Sequence, residues 1–412
     1  MNLSSPAHLW LGRHAHDLID FATRLIAVSS ENPSSNEQAV VALLIDEAAK
    51  LGMEAPQIIA RTGERPNLLF RVIGGQPGPT LMLVGHTDTK PAGNRHEWTS
   101  DPFRPEVRSG RLYGLGASDM KGGVAAMLYA AGAVLPMAER LHGALQLALV
   151  ADEEAGSSFG SAYLVRQGDW SADAAIIGEP AGIHEEWDSL HIASRGVCLF
   201  TLRSRGDQGH SGLTNVLGLR NASVSLAKLV AAMSSELVLT HSASSLYQDG
   251  PTVNLGVQLR GGIFWGVNPG VAECDCDVRL LPGMTKEQLR TDVEAFVQKQ
   301  RTLSAGADYE VDWQPREVSW IDSCTISDSH PLVTAVQAAA SEVLGRTPPL
   351  SGYPAGTDGS WFSSVRGIPT IPAFGPGLIS VAHRPNEYVS IQGIREAAEL
   401  YAVSAINFLS KP

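Results

Sequence analysis

The residues able to do metal and acid–base chemistry collect where short apolar runs end. The run 80–84 is followed by Gly85, His86, Thr87 and Asp88; the run 144–150 by Ala151, Asp152, Glu153 and Glu154. The run 174–177 is followed by Gly178, Glu179 and Pro180. Asp119 sits in a Gly-rich turn, residues 114–123, just before an apolar helical stretch, and His383 follows the last apolar run. Imidazole and carboxylate are ordinary ligands of Zn²⁺, and a carboxylate can bridge two ions. His86, Asp119, Glu154, Glu179 and His383 together supply two imidazoles and three carboxylates, the donors and the negative charge that a pair of divalent cations needs. Zn²⁺ is the first choice, and the same donors accept Mn²⁺ or Co²⁺. Asp88, two residues beyond His86, is placed to accept the second ring N–H and fix the tautomer. Glu153, next to a ligand, suits the general base on a metal-activated water. Any one of these residues alone would be read as a solvated or satisfied polar group. Five at one inferred sheet edge are not.

The elements that must position them alternate along the chain. Helical periodicity is read over 16–26, 36–51, 122–135, 158–166 and 330–344, and apolar strands over 67–72, 80–84, 144–150, 174–177 and 370–374. Short all-apolar strands between helices predict an α/β domain, its mostly parallel sheet flanked by helices. Ligand sites of such sheets lie at the carboxyl ends of the strands. The middle of the chain reads differently. A strand over 190–205, a helix over 217–233, strands over 252–260 and 271–281, a helix over 285–301 and a strand over 308–314 give the order βαββαβ, a ferredoxin-like α+β unit. The α/β pattern then resumes. The expected domains are therefore 1–187 with 321–412, and an insertion at 188–320.

Composition bounds the function. A chain of 412 residues with 44% hydrophobic and 18% charged residues is globular and too long for one ordinary core. A net charge of -12 argues against nucleic acid as a partner. No apolar run approaches the roughly 20 residues of a membrane span, and residues 1–20 lack the apolar stretch of a signal peptide. A cytoplasmic protein with no membrane partner is expected. Cys274 and Cys276 alternate with Glu273, Asp275 and Asp277, so both thiols are expected on the apolar face of a strand.

At these residues the sequence resembles the zinc aminoacylase and carboxypeptidase family, of the acetylornithine deacetylase, succinyl-diaminopimelate desuccinylase and glutamate carboxypeptidase type. The matching segments are 85–93, Trp98, 101–103, 110–123, 152–154, 178–180, 209–212, 356–359 and 383–387, in the family's order. The resemblance covers about residues 18 to 409. It implies a two-zinc α/β catalytic domain with an inserted ferredoxin-like lid and dimerisation domain, and a homodimer through that lid. It implies that Asp119 bridges the metals, Asp88 orients His86 and Glu153 is the catalytic base. It implies that His210, in many members from the partner subunit, reaches the substrate carbonyl oxygen. Asn254 and Arg279 would hold a substrate carboxylate, and Gly356 and Thr357 would line the pocket with backbone. The implied reaction is hydrolysis of the amide C–N bond of a small N-acyl amino acid, deacetylase- or desuccinylase-like. Release of a C-terminal amino acid and attack on an aromatic amine C–N bond are alternatives. Outside the class stands an inactive metal-binding regulatory protein, which would have no need of Glu153. The sequence departs from the family at Lys90, where an apolar residue is common. Phe264 and Trp265 in a lid connection, with Trp187 and Trp361, are read as packing or as an aromatic substrate side.

Overall fold

The computed structural model describes residues 4–410 apart from Ser35, Asp169 and Ala305. It divides into two compact units: the chain through Ser194 together with the chain from Cys324 onward, and Arg195–Ser323.

The first unit is built on a six-stranded sheet. Across the sheet the strands are Gln57–Ala60, Pro66–Ile73, His142–Val150, Gln76–His86, Ala174–Ile177 and Thr370–Ile371. The last four run parallel, and the first two are antiparallel to their neighbours. The parallel strands carry unbroken apolar runs because helices cover both faces: Leu81, Met82, Leu83 and Val84 are all fully buried. The helix Gly122–Val134 is apolar on every side and buried at every residue, packed against Ile391–Leu409. By length and composition the helical run Ala117–Arg140 could cross a bilayer, which corrects the sequence reading that no such run exists. Its burial within the unit makes it a core helix. His86, Val150 and Ile177 end adjacent parallel strands, so the segments that follow them emerge at one edge.

The second unit contains Gly196–Arg205, Ala222–Glu236, Thr252–Gly261, Val271–Leu280, Lys286–Leu303 and Asp308–Asp312 in chain order. Its main strands are ordered Thr252–Gly261, Val271–Leu280, Gly196–Arg205, Asp308–Asp312, all antiparallel, the arrangement of a ferredoxin-like βαββαβ unit. Burial alternates along Val271–Leu280: Ala272, Cys274, Cys276, Val278 and Leu280 face a core with Leu226, Leu229, Met233, Leu289, Val293 and Val297. Cys274 and Cys276 are core thiols on the apolar face, as the alternation predicts.

Three elements differ from their sequence reading. The strand read over 190–205 is two strands. Leu190–Ser194 pairs with Cys324–Thr325 and Leu350–Tyr353 in the first unit, and Gly196–Arg205 belongs to the second. Leu190–Ser194 is buried throughout and Gly196–Arg205 at most positions, so periodicity does not mark the change of sheet. Gly196 is the cue: a Cβ there would stand 2.7 Å from the Ile321 carbonyl oxygen. The helix read over 158–166 shrinks to Ser161–Leu164. The run 370–374 contributes only Thr370–Ile371 to the main sheet, and Gly375–Leu378 instead runs parallel to Pro180–Gly182, beside Glu179.

Candidate metal centre

Five chain segments bring the chemistry together in the first unit. His86 is the last residue of its strand, and its Nε2 lies 2.9 Å from Asp119 Oδ1 and 3.6 Å from Glu179 Oε1. His383 Nε2 lies 3.1 Å from Asp119 Oδ2 and 3.0 Å from Glu154 Oε1. Asp119 thus turns one oxygen toward each half. Two donor sets result, His86 with Asp119 and Glu179, and Asp119 with Glu154 and His383, each with its ligand atoms within 4.8 Å of one another.

The backbone is shaped for this. Asp119 has an extended conformation (φ -122°, ψ 91°) inside the turn Ala117–Lys121, which lifts its carboxylate out of the helix that follows. The Glu387 carboxylate holds that turn by accepting the N–H groups of Gly116, Ser118 and Asp119 at 3.1, 2.8 and 2.9 Å. Glu387 lies in a matched segment without an expected role, and this is what it does. Asp152 stands at φ 62° and turns the chain so that Glu153 and Glu154 follow the strand end directly.

Asp88 sits below them. His86 Nδ1–H donates to the backbone carbonyl of Asp88 at 3.0 Å, nearer than the Asp88 carboxylate at 3.5 Å. That carboxylate accepts the backbone N–H groups of Glu153 and Glu154 at 3.1 Å each. Asp88 therefore ties the His86 segment to the Glu153–Glu154 turn. The sequence reading missed Asn32, which has no tell-tale spacing to any other polar residue. Its buried amide donates to Asp88 Oδ2 at 2.9 Å and to Asp152 Oδ1 at 2.8 Å, spanning the two carboxylates that hold the turn. Asn32→Ala leaves both acceptors short of a donor in a buried place, so kcat should fall by about 10- to 100-fold, the usual effect of removing a group that orients ligands. Steady-state kinetics with metal analysis of the purified variant check this; unchanged kcat would remove Asn32 from the positioning of the turn.

The electrostatics describe a site made for cations. With Nδ1–H committed to a carbonyl, the neutral His86 ring has its lone pair on Nε2, aimed between Asp119 and Glu179. Burial works to raise the Asp119 pKa, but hydrogen bonds from His383 and His86 overcome it and the value falls. Burial lowers the His383 pKa, yet Asp119 and Glu154 carry it up to about 10. Burial, then Asp119, raises the pKa of Glu179. Without other cations, protonated imidazoles must do the neutralising. Divalent ions at the same place would neutralise the three carboxylates and leave both rings as neutral ligands, so the donor set fits a metal pair.

Glu153 differs from its neighbours. Among the described residues its carboxylate has no hydrogen-bond partner. Burial raises its pKa well above the usual value; the charge of His86 works against this, and Asp358 adds to it. Lys90 Nζ makes an ion pair with Glu154 Oε2 at 3.1 Å and also donates to the Glu154 carbonyl.

The other expected residues fall in two groups. Thr357 is buried in the first unit beside the partly exposed Gly356, and its Oγ1 accepts the Gly359 N–H at 3.2 Å. His210, Asn254 and Arg279 belong to the second unit. His210 is exposed, its Nδ1 accepting the Gly212 N–H at 3.1 Å. Asn254 pairs across from Asp277, and Arg279 across from Thr252, so Asn254 and Arg279 share the sheet face opposite the buried thiols. Arg279 Nη2 donates to Asp277 at 3.1 Å. Trp187 is packed on Phe374 with its N–H on Glu396, and Trp361 packs against Arg166. Phe264 and Trp265 are 78% and 91% exposed.

Residues 82–407 match the model of Peptidase family M20/M25/M40. The chain is 30% identical over 390 residues to a succinyl-diaminopimelate desuccinylase of Thioalkalivibrio sulfidiphilus, covering 93% of this chain and 97% of that one. It is 30% identical over 398 residues to the enzyme of that name from Xanthomonas oryzae pv. oryzae, covering 94% and 97%. Among solved structures, an M20 family metallo-carboxypeptidase from Sulfolobus solfataricus shares the fold with a TM-score of 0.76 at 20% identity, covering 95% of this chain and 98% of that one. A dinuclear metal-binding peptidase of the M20 family from Bacillus subtilis does so with a TM-score of 0.67 at 16% identity, covering 97% and 100%. The sheet-edge donors and the matched residues lead to one statement: the chain belongs to Peptidase family M20/M25/M40 and is a metal-dependent amide hydrolase.

Proposed function

We propose that this chain hydrolyses the amide bond of a small N-acyl amino acid, with N-succinyl and N-acetyl amino acids as the first substrates. The observation that carries the reading is Glu153, a carboxylate without a hydrogen-bond partner among the described residues, set directly beside the metal-ligating side chains. We assign two divalent cations to His86, Asp119, Glu154, Glu179 and His383, with Asp119 shared and Zn²⁺ preferred over Mn²⁺ or Co²⁺. Such cations lower the pKa of a water and polarise the substrate carbonyl. Glu153 takes a proton from the attacking water and delivers it to the leaving nitrogen. Its raised pKa suits a group that must hold that proton between the two steps. His210 is assigned to the carbonyl oxygen, and Asn254 and Arg279 to the substrate carboxylate. The planar fork of Arg279 suits a carboxylate, and its contact to Asp277 uses only one of its nitrogens. Gly356 and Thr357 line the pocket with backbone. The desuccinylase name of relatives at 30% identity supports trying the succinyl group first.

A panel of N-succinyl and N-acetyl amino acids and dipeptides, followed by mass detection of the released amine, tests the reading. Chelator-sensitive release from the N-acyl amino acids is expected. Turnover of dipeptides alone would replace it with a carboxypeptidase, and no chelator-sensitive turnover at all would favour a binding protein.

We further propose a homodimer through the second unit. Thr252–Gly261 is an edge strand with Val257 and Leu259 53% and 65% exposed, and the connection after it exposes Ile263, Phe264 and Trp265. An open edge with apolar side chains is a surface that proteins cover. Leu259→Asp with Trp265→Asp should convert a dimer to a monomer in sedimentation velocity. A wild-type monomer with full activity would overturn the assembly and any contribution of His210 from a partner. The four cysteines are unpaired, which suits a reducing compartment, and we place the enzyme in the cytoplasm.

A further inference from the structure

We propose that Lys90 is a fixed counter-charge that competes with a divalent cation for Glu154 and weakens the Asp119–Glu154–His383 half of the metal site. The inference rests on the two-cation reading above and concerns a residue that departs from the family pattern. Lys90 Nζ lies 3.1 Å from Glu154 Oε2 and donates to the carbonyl of the same residue, so it grips Glu154 at two points. The Glu154 side chain is only 4% exposed, so water is poorly placed to take over from the ammonium group. The other carboxylate oxygen, Oε1, faces His383 at 3.0 Å.

The other half of the site has no such group. Among the described residues the side-chain ion pairs of Asp119 and Glu179 are with His86 and His383, and no lysine or arginine forms an ion pair with either carboxylate. The two halves share Asp119 but differ in net charge by one unit. A positive charge a few ångströms from a divalent cation opposes its binding, and partial burial limits the screening that would erase the effect. The lysine also occupies Oε2, so Glu154 can offer only Oε1 to a metal. An apolar side chain at position 90 would remove the repulsion and free the second oxygen. Arginine would keep both effects.

The test is titration of metal-free, full-length protein with Co²⁺ alone. Visible absorption follows each equivalent, and elemental analysis after dialysis counts the ions retained. Lys90→Met and Lys90→Gln should tighten the weaker equivalent by about tenfold or more and leave the tighter one within about twofold. Lys90→Arg should stay within about threefold of wild type. Two uncharged variants guard against a packing defect in either one. A weaker equivalent that is unchanged or loosened in both would overturn the proposal, making Lys90 a clamp that organises Glu154. Wild type and both variants each taking no more than one equivalent at saturation would overturn the two-cation reading itself, and the role of Lys90 with it.

Discussion

Glu153→Ala should lower kcat about a thousandfold and leave the metal content at its wild-type value. The split between the two readouts is the substance of the prediction. Glu153 has no hydrogen bond to its carboxylate among the described residues, so its removal breaks no network. Its backbone N–H is held by Asp88, and that bond is untouched by a side-chain change. Glu154, the neighbouring donor, keeps its own bond to Asp88. The ligand set therefore stays in place while the group that moves the proton is lost. KM should change by no more than about threefold, because an interaction made chiefly in the transition state appears in kcat. Glu153→Gln should lose as much activity as the alanine variant, since the amide fills the space but cannot accept the proton. Steady-state kinetics and elemental analysis on both variants check this. A glutamine variant within tenfold of wild type would mean that another group serves as the base.

Removing a carboxylate that has no hydrogen-bond partner among the described residues also relieves a cost. Burial holds the Glu153 carboxyl well above its ordinary pKa, with Asp358 adding to the effect. The folded protein therefore gains nothing from ionising it, and the variant should be at least as thermally stable as wild type. Lost activity with kept or improved stability is the signature of a group retained for chemistry.

What the sequence made legible follows from which physical signals are local. The parallel strands announced themselves because a sheet covered on both faces needs continuous apolar runs, as at Leu81–Val84. The alternation of Ala272, Cys274, Cys276 and Val278 with charged residues gave the half-buried strand and the direction of its thiols. The candidate donors were legible because they lie at or shortly after strand ends or within a turn. The break at Arg195 was not, since strand-like residues continue on both sides of it and only the pairing partner changes. Asn32 was not legible either. Its role depends on Asp88 and Asp152, 56 and 120 residues away, and no local pattern encodes that meeting. Lys90 was visible as a departure, but its partner, Glu154, is a contact only the fold reveals.

Asp119→Ala should abolish high-affinity binding in both halves of the site, where loss of any other ligand should affect chiefly one. Among the described residues Asp119 alone of the proposed ligands has an oxygen toward each imidazole, Oδ1 to His86 and Oδ2 to His383. Retained metal should fall below one equivalent, and activity should reach the level of the chelator-treated wild type. The variant should still fold, because the turn that carries Asp119 is held by its backbone N–H groups on the Glu387 carboxylate. Metal binding stabilises only the folded state, by about 2.7 kcal/mol when free metal stands at a hundred times Kd. Wild type should thus melt at a higher temperature when Zn²⁺ is added, and Asp119→Ala should not respond. The His86→Ala and His383→Ala variants distinguish a shared ligand from a merely important one. Each keeps Asp119 and one intact imidazole, so each should retain about one equivalent and part of the thermal shift. If Asp119→Ala also retains one equivalent, Asp119 belongs to a single half, and the two cations do not share a carboxylate.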